Sequence, residues 1–192
     1  MITFPEKNVI DAVLNGIENA HKKFYLWTNK KAWLSMAPEY MLNICIAEQI
    51  SKLEKKPEIW FEVSVAQYIS TKNVDRDGRI DIVLDDTNTG KSCVMIEVKN
   101  KIDKYTDPLN DDIVRICQLL EYNKEFEYGL IAFFANFSSK KNINNLLQEI
   151  KQSAQKVINI KKIHFDEHFK EIDKDEADGW SAAAVCFVFK RF

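Results

Sequence analysis

Apolar residues recur along the chain with two different spacings, and the change of spacing divides the sequence into helices and strands. Near the N-terminus they recur every three or four positions, which predicts helices over Val9–Lys23 and from Pro38 to about Lys55. After Pro57 apolar and polar residues alternate, as they do in half-buried strands. The strands predicted in this part of the chain are Trp60–Ile69, Arg79–Asp85 and Ser92–Lys99.

The second half of the chain alternates helices with strands. Helical spacing returns over Ile113–Phe126 and Asn142–Lys156, and the apolar run between them, Tyr128–Phe137, is typical of a strand covered on both faces. Two more strands, Val157–Ile163 and Ala182–Phe189, are predicted around an acidic loop. This order of elements predicts an α/β fold, in which helices cover both faces of a mixed central sheet and make three layers, α/β/α.

Length and composition fit one soluble domain. The chain has 192 residues, of which 46% are hydrophobic and 29% are charged. Its longest apolar run, Ala182–Phe189, is far shorter than the roughly 20 residues that span a membrane, and the N-terminus lacks the apolar stretch of a signal peptide. The four cysteines form no CxxC pair, which favours buried, reduced thiols. We therefore expect a cytoplasmic protein without membrane contact.

The charge distribution leaves two interpretations open. The net charge of −2 argues against nonspecific coating of nucleic acid, because proteins that do this carry a large positive surplus. Locally, however, the segment 21–37 has four lysines and no acidic residue, interleaved with aromatic residues such as Trp27 and Trp33. Such a segment suits phosphate contacts and base stacking. Alternatively, the two tryptophans belong to the core and the lysines are ordinary surface residues.

The predicted hairpin brings two carboxylates face to face. If its turn centres on Thr89, residues equally far from Thr89 pair, so Asp81 lies opposite Glu97 with side chains starting about 5 Å apart. Two carboxylates repel each other in such a pair, and a divalent cation that prefers oxygen ligands, Mg²⁺ or Mn²⁺, relieves the repulsion. Lys99 lies on the same face as Glu97, where it can stabilise negative charge that develops on a phosphate.

Asp81, followed sixteen residues later by Glu97-Val98-Lys99, resembles the motif of the PD-(D/E)xK nuclease superfamily. The resemblance covers about Tyr40–Asn136 and implies the αβββαβ core of the restriction-endonuclease-like fold. It implies that Asp81 and Glu97 ligate Mg²⁺, with Mn²⁺ as a substitute and the Val98 carbonyl as a further ligand. It also implies that Lys99 is the catalytic lysine.

Two further positions follow from the same resemblance. An acidic residue on the preceding core helix often supplements the metal site in this superfamily, and Glu48 is the candidate here. Gln118 and Tyr122 have a Q-x-x-x-Y spacing that is similar to that of the RecB-like exonuclease branch, in which both residues lie near the active site. Gln118 is therefore a further catalytic candidate.

Together these features predict a single-domain, metal-dependent nuclease that hydrolyses phosphodiester bonds in DNA rather than RNA. Its core covers about 38–137, and the segments 9–23 and 140–192 are additions to that core. A homodimer is compatible with the resemblance, because such enzymes often pair to cut both strands. Two alternatives stay open. One is a non-catalytic module that binds nucleic acid or protein and retains the fold, for example in phage defence. The other is an unrelated α/β protein with a fortuitous motif.

Overall fold

The computed structural model describes residues 3–69, 78–102, 104, 106–138, 143–175 and 180–192. Two short 3-10 helices, Leu34–Met36 and Val65–Gln67, accompany the longer elements. The α-helices within the described residues are α1 (Glu6–Trp27), α2 (Glu39–Ile50), α3 (Asp107–Tyr122) and α4 (Ile143–Lys161). The strands are β1 (Glu58–Ser64), β2 (Arg79–Asp85), β3 (Ser92–Lys99), β4 (Tyr128–Ser138), β5 (Ile163–Asp175) and β6 (Trp180–Arg191).

The strands form one mixed sheet in the order β1-β2-β3-β4-β6-β5. Strands β3 and β4 are parallel, and every other neighbouring pair is antiparallel. A parallel pair needs a crossover, and α3 supplies it between β3 and β4. From α2 to β4 the order of α-helices and strands is αβββαβ, as predicted.

Helices cover both faces of the sheet, so the predicted three-layer α/β/α architecture is confirmed. One apolar cluster joins α1 and α2 to alternate strand residues such as Ile82 and Ile96. A second cluster on the other face joins α3 and α4 to Val83 and Met95. Ile80, two residues before Ile82 on β2, packs in the second cluster rather than in the first. None of the helices in the described ranges is long and apolar enough to cross a membrane.

The predictions for the two central strands, Arg79–Asp85 and Ser92–Lys99, are confirmed to the residue, but those for the C-terminal part need a correction. The segment Val157–Ile163 was predicted as a strand, but its first five residues form the end of α4, Lys162 is a turn residue, and only Ile163 belongs to a strand, β5. The predicted acidic loop after it is largely strand β5, which pairs with β6 along its length. Because β5 is an edge strand, its charged residues protect the sheet from pairing with other chains. The predicted start of α4, Asn142, lies outside the described residues.

The crossover positions α3 above the carboxyl end of β3. Thr106 caps the helix by accepting a hydrogen bond from the Leu109 N–H, and Pro108 fits the first turn, where a proline costs no helical hydrogen bond. Leu109, Ile113 and Ile116 then bind the helix to the second cluster. Polar side chains in the first two turns of α3 are thereby held beside the end of β3.

A charged cluster at the end of the central hairpin

The hairpin has the register that the sequence predicts. Ile82 pairs with Ile96, and Val83 with Met95, and Asp81 and Glu97 are the next residues beyond the Ile82–Ile96 pair. Asp81 Oδ2 accepts a hydrogen bond from the backbone N–H of Val98 at 2.7 Å. Only 1% of Glu97 is exposed. Both carboxylates therefore lie at the carboxyl end of β3, on the side of the sheet that α3 covers.

Helix α3 contributes two charged side chains to the same place. Arg115 Nε donates a hydrogen bond to Glu97 Oε1 at 2.7 Å, and the same guanidinium also bonds to Asp112. Lys99 Nζ lies 3.0 Å from Asp112 Oδ2. Asp112 is thus held between two cations, one from its own helix and one from β3.

The start of α2 borders the carboxyl end of β3 on a third side. The Glu39 carboxylate accepts a hydrogen bond from the Asn100 backbone N–H at 3.1 Å. The Asn100 side chain in turn donates to the Ala37 carbonyl. These two bonds tie the residues directly after β3 to the first turn of α2. The charged cluster, as we name it below, consists of Glu39, Asp81, Glu97, Lys99, Asp112 and Arg115.

Burial dominates the electrostatics of the charged cluster. It raises the pKa of Glu97 to about 8, with the repulsion of Asp112 and Asp81 adding to the rise and Arg115 opposing it. Burial likewise raises the pKa of Asp112 and of Glu39, although Lys99 lowers both. Four carboxylates face two cations, so the cluster carries a formal charge of −2 when every group is ionised. It is therefore a buried site with unbalanced negative charge.

Lys99 responds to the same surroundings in the opposite direction. Burial acts to lower the pKa of its ammonium group, but Asp112, Glu39 and Asp81 outweigh this and raise the pKa above its usual value. The side chain remains partly exposed, at 23%. Lys99 is therefore a charged, solvent-accessible group at the rim of the charged cluster.

The remaining predicted residues fall into two groups. Gln118 lies beside the charged cluster, since it lines a small cavity of about 210 Å³ together with Arg115 and Gly78. Glu48 does not share the contacts of the cluster: Lys23 binds its carboxylate at 2.7 Å, and Lys52 lies 3.7 Å away. It also lies nine residues, or about 13 Å, along α2 from Glu39. Glu39, rather than Glu48, is thus the acidic residue that α2 brings to this place.

Three members of the charged cluster, Glu39, Asp112 and Arg115, were not predicted from the sequence. For Asp112 a signal exists, because it occupies the apolar stripe formed by Leu109, Ile113 and Ile116. A charged residue in such a stripe is buried together with its apolar neighbours, so it needs an oppositely charged or hydrogen-bonding partner. Arg115, three residues on, is that partner.

The resemblance implies three oxygen donors for a metal ion: the carboxylates of Asp81 and Glu97 and the Val98 carbonyl. In the described ranges, no three histidine, cysteine, aspartate or glutamate side chains are grouped so that they could hold a metal ion. Lys99 forms an ion pair with Asp112, and Arg115 forms one with Glu97. A cation bound here therefore relies on two carboxylates and on water or substrate oxygens, which is how Mg²⁺ is usually held.

Comparisons with known proteins give little. No protein-family model matches the chain, and no curated protein matches it. Among solved structures, M. jannaschii TYW2 in complex with AdoMet is similar, with 15% sequence identity and a TM-score of 0.31. That likeness covers 53% of this chain and 39% of the other, so the chain spans well under two thirds of its length. At such a TM-score the likeness carries no argument about this protein.

Proposed function

We propose that this protein is a metal-dependent nuclease that hydrolyses phosphodiester bonds, in DNA rather than RNA, with the charged cluster as its active site. The observation that carries the proposal is the joint position of Asp81, Glu97 and Lys99 at the carboxyl end of β3. The resemblance to PD-(D/E)xK nucleases implies the same three residues. The αβββαβ order of the elements that hold them supports the proposal further.

The charge of the cluster suits a divalent cation. Its formal charge of −2 matches that of Mg²⁺ or Mn²⁺ in magnitude. The raised pKa of Glu97, due chiefly to burial and increased by Asp112, shows that a negative charge there is short of compensation. All donors are oxygen atoms, which hard cations prefer and zinc does not. These residues therefore fit Mg²⁺.

In this proposal Asp81 and Glu97 hold the ion, and the Val98 carbonyl completes the protein's share of the ligands. A bound Mg²⁺ supplies Lewis-acid chemistry and lowers the pKa of bound water. Lys99 stabilises the negative charge that develops on the phosphate, because its ammonium group is charged and partly exposed. Asp112 holds Lys99 in position, and Gln118 lines a small cavity together with Arg115.

The test is a cleavage assay on single- and double-stranded DNA and on RNA, with Mg²⁺, with Mn²⁺ and with a chelator. We expect cleavage that requires the metal and is abolished in Asp81→Asn and Lys99→Ala. Glu121→Gln is a matched control, since this exposed glutamate on α3 pairs with Lys161 away from the charged cluster. Cleavage that persists in both active-site variants contradicts the proposal.

One observation favours a second candidate, a non-catalytic module that binds nucleic acid or protein and retains the fold. Glu97 and Asp112 already have cationic partners in Arg115 and Lys99, so the charged cluster is partly neutralised without a metal. Calorimetry separates the two functions. A nuclease site binds Mn²⁺ and loses this binding in Asp81→Asn, whereas the module binds no Mn²⁺ that depends on Asp81.

The free cysteines bear on where the protein acts. All four are unpaired and buried. Cysteines without disulfide partners are typical of a reducing compartment, so we place the activity in the cytoplasm.

A further inference from the structure

An apolar groove opens on the surface between the end of α1 and the start of α2. It has a volume of about 540 Å³, and its lining is almost wholly apolar: Phe24, Trp27, Pro38, Tyr40, Met41 and Ile44. Trp27 is 73% exposed and Tyr40 is 54% exposed, although aromatic rings of this size usually pack inside a protein. The interpretation that placed Trp27 and Trp33 in the core is therefore wrong for Trp27, whereas Trp33 is partly buried and packs against the first apolar cluster.

The groove adjoins the charged cluster. Glu39, whose carboxylate binds the Asn100 N–H, is flanked by Pro38 and Tyr40, and both of these line the groove. Neighbouring Cα atoms are about 3.8 Å apart, so one extended ligand can contact the groove and reach the end of β3. The groove therefore leads toward the place where we propose that phosphodiester bonds are hydrolysed.

Apart from Glu39, which belongs to the charged cluster, the acidic residues that flank the groove are paired with lysines. Glu18 is paired with Lys22 and Lys170, and Glu48 is paired with Lys23 and Lys52. These ion pairs neutralise the acidic residues on the flanking parts of the two helices. Lys30 and Lys31, directly after α1, are exposed, and neither forms an ion pair with any residue that the structure describes. This surplus is complementary to a polyanion.

We propose that the groove binds single-stranded nucleic acid, stacking unpaired bases on Trp27 and Tyr40 while Lys30 and Lys31 contact the phosphates. Bases in a duplex are stacked on each other and do not present their faces, so only unpaired bases can use these rings. That the bound strand is then cleaved rests on the proposed function. The inference itself assigns single strands as the substrate class.

Binding is measured without metal, so that it does not depend on catalysis. The probes are a fluorescently labelled oligothymidylate and an oligouridylate of about 16 nucleotides, and the same DNA as a duplex. We expect anisotropy to show tighter binding of the single strands, with quenching of tryptophan fluorescence. Trp27→Ala should weaken binding about tenfold, the effect of losing one stacked base, and Tyr40→Ala should weaken it similarly. Replacing Lys30 and Lys31 by glutamate should reduce the salt dependence of Kd.

Trp60→Ala is the matched control, because Trp60 is 53% exposed on the edge strand β1 and does not line the groove. The inference is overturned if single strands do not bind, or if Trp27→Ala and Trp60→Ala bind them equally well. It is also overturned if Trp27→Ala converts a dimer to a monomer without affecting DNA, since the groove is then an interface between copies. Loss of cleavage in Asp81→Asn with binding retained supports the proposed active site separately, so the two proposals can fail independently.

Discussion

The buried Glu97 makes the stability of the protein depend on pH in a specific direction. Burial raises the pKa of this carboxyl from 4.5 to about 8, and Asp112 adds to the rise. Between these pH values the folded protein holds a proton that the unfolded chain has already released. Raising the pH through this window therefore destabilises the fold, by up to about 1.4 kcal/mol per pH unit from this single group. Across the whole window the effect approaches about 5 kcal/mol.

Glu97→Gln isolates this contribution. Glutamine has the same shape and keeps an oxygen that can accept the hydrogen bond from Arg115, but it does not titrate. We expect the two proteins to be similarly stable near pH 5, because Glu97 is then protonated in the folded wild type and is as neutral as glutamine. As the pH rises, the stability of the variant should fall less steeply than that of the wild type, by up to about 1.4 kcal/mol per pH unit, so that the variant is the more stable protein by pH 8.

Urea unfolding of both proteins at intervals from pH 5 to pH 8, in the presence of a chelator, measures the two slopes. Glu48→Gln is the control: Lys23 lowers the pKa of this exposed carboxyl, so its contribution to stability is lost only as the pH falls toward and below its usual pKa. The control should therefore run parallel to the wild type over the whole range. Parallel curves for Glu97→Gln and the wild type would refute the assignment of a raised pKa to Glu97.

Four other outcomes depend on packing, backbone conformation, ion pairing and burial. Gly16→Ala should destabilise the protein by about 1–3 kcal/mol or more, because an added Cβ lies 2.5 Å from the Ile46 Cα and forces α1 away from α2. At Gly90 an added Cβ meets no other group within 4 Å, but φ is +66°. Gly90→Ala should therefore cost about 1 kcal/mol through backbone strain alone. Thermal unfolding of the two glycine variants compares these costs. Asp112→Ala should cost about 3–5 kcal/mol in urea unfolding, because Lys99 and Arg115 lose their shared partner; a cost below 1 kcal/mol contradicts this. The four buried cysteines should react with a thiol reagent only after unfolding, and a fast reaction in the native protein shows that one is accessible.

The hairpin was predictable because its geometry is local. Strand alternation and the turn-rich segment around Thr89 are enough to place Asp81 opposite Glu97, and the observed pairing of Ile82 with Ile96 has that register. A slip of β3 by one residue would turn Glu97 away from Arg115 and toward the apolar cluster that α1 and α2 form on the other face, so burial enforces the same register. The strand half of the charged cluster was therefore predictable from one segment of nineteen residues, 81–99.

The C-terminal strands were harder to predict, because they depend on a partner that lies far away in the sequence. Strand β6 is apolar at nearly every position and buried, which any reading of the sequence detects. Strand β5 mixes phenylalanines with lysines and acidic residues, as in Phe165 and Glu167, and looks like a solvated loop. It forms a strand because the edge of β6 offers a complete ladder of hydrogen bonds, and β5 in turn covers that edge.

The helix half of the charged cluster depends on the way in which the chain leaves β3. Because β3 and β4 are parallel, the connection must start at the carboxyl end of β3 and return across one face of the sheet. This brings the first two turns of α3, with Asp112 and Arg115, over Glu97, while Asn100 ties the same end of β3 to Glu39 on α2. Strand, crossover helix and preceding helix therefore converge on one point, and the charges that they bring there compensate one another only in part. A motif in the sequence marks the strand residues of such a point, and only the topology shows which other side chains are brought to it.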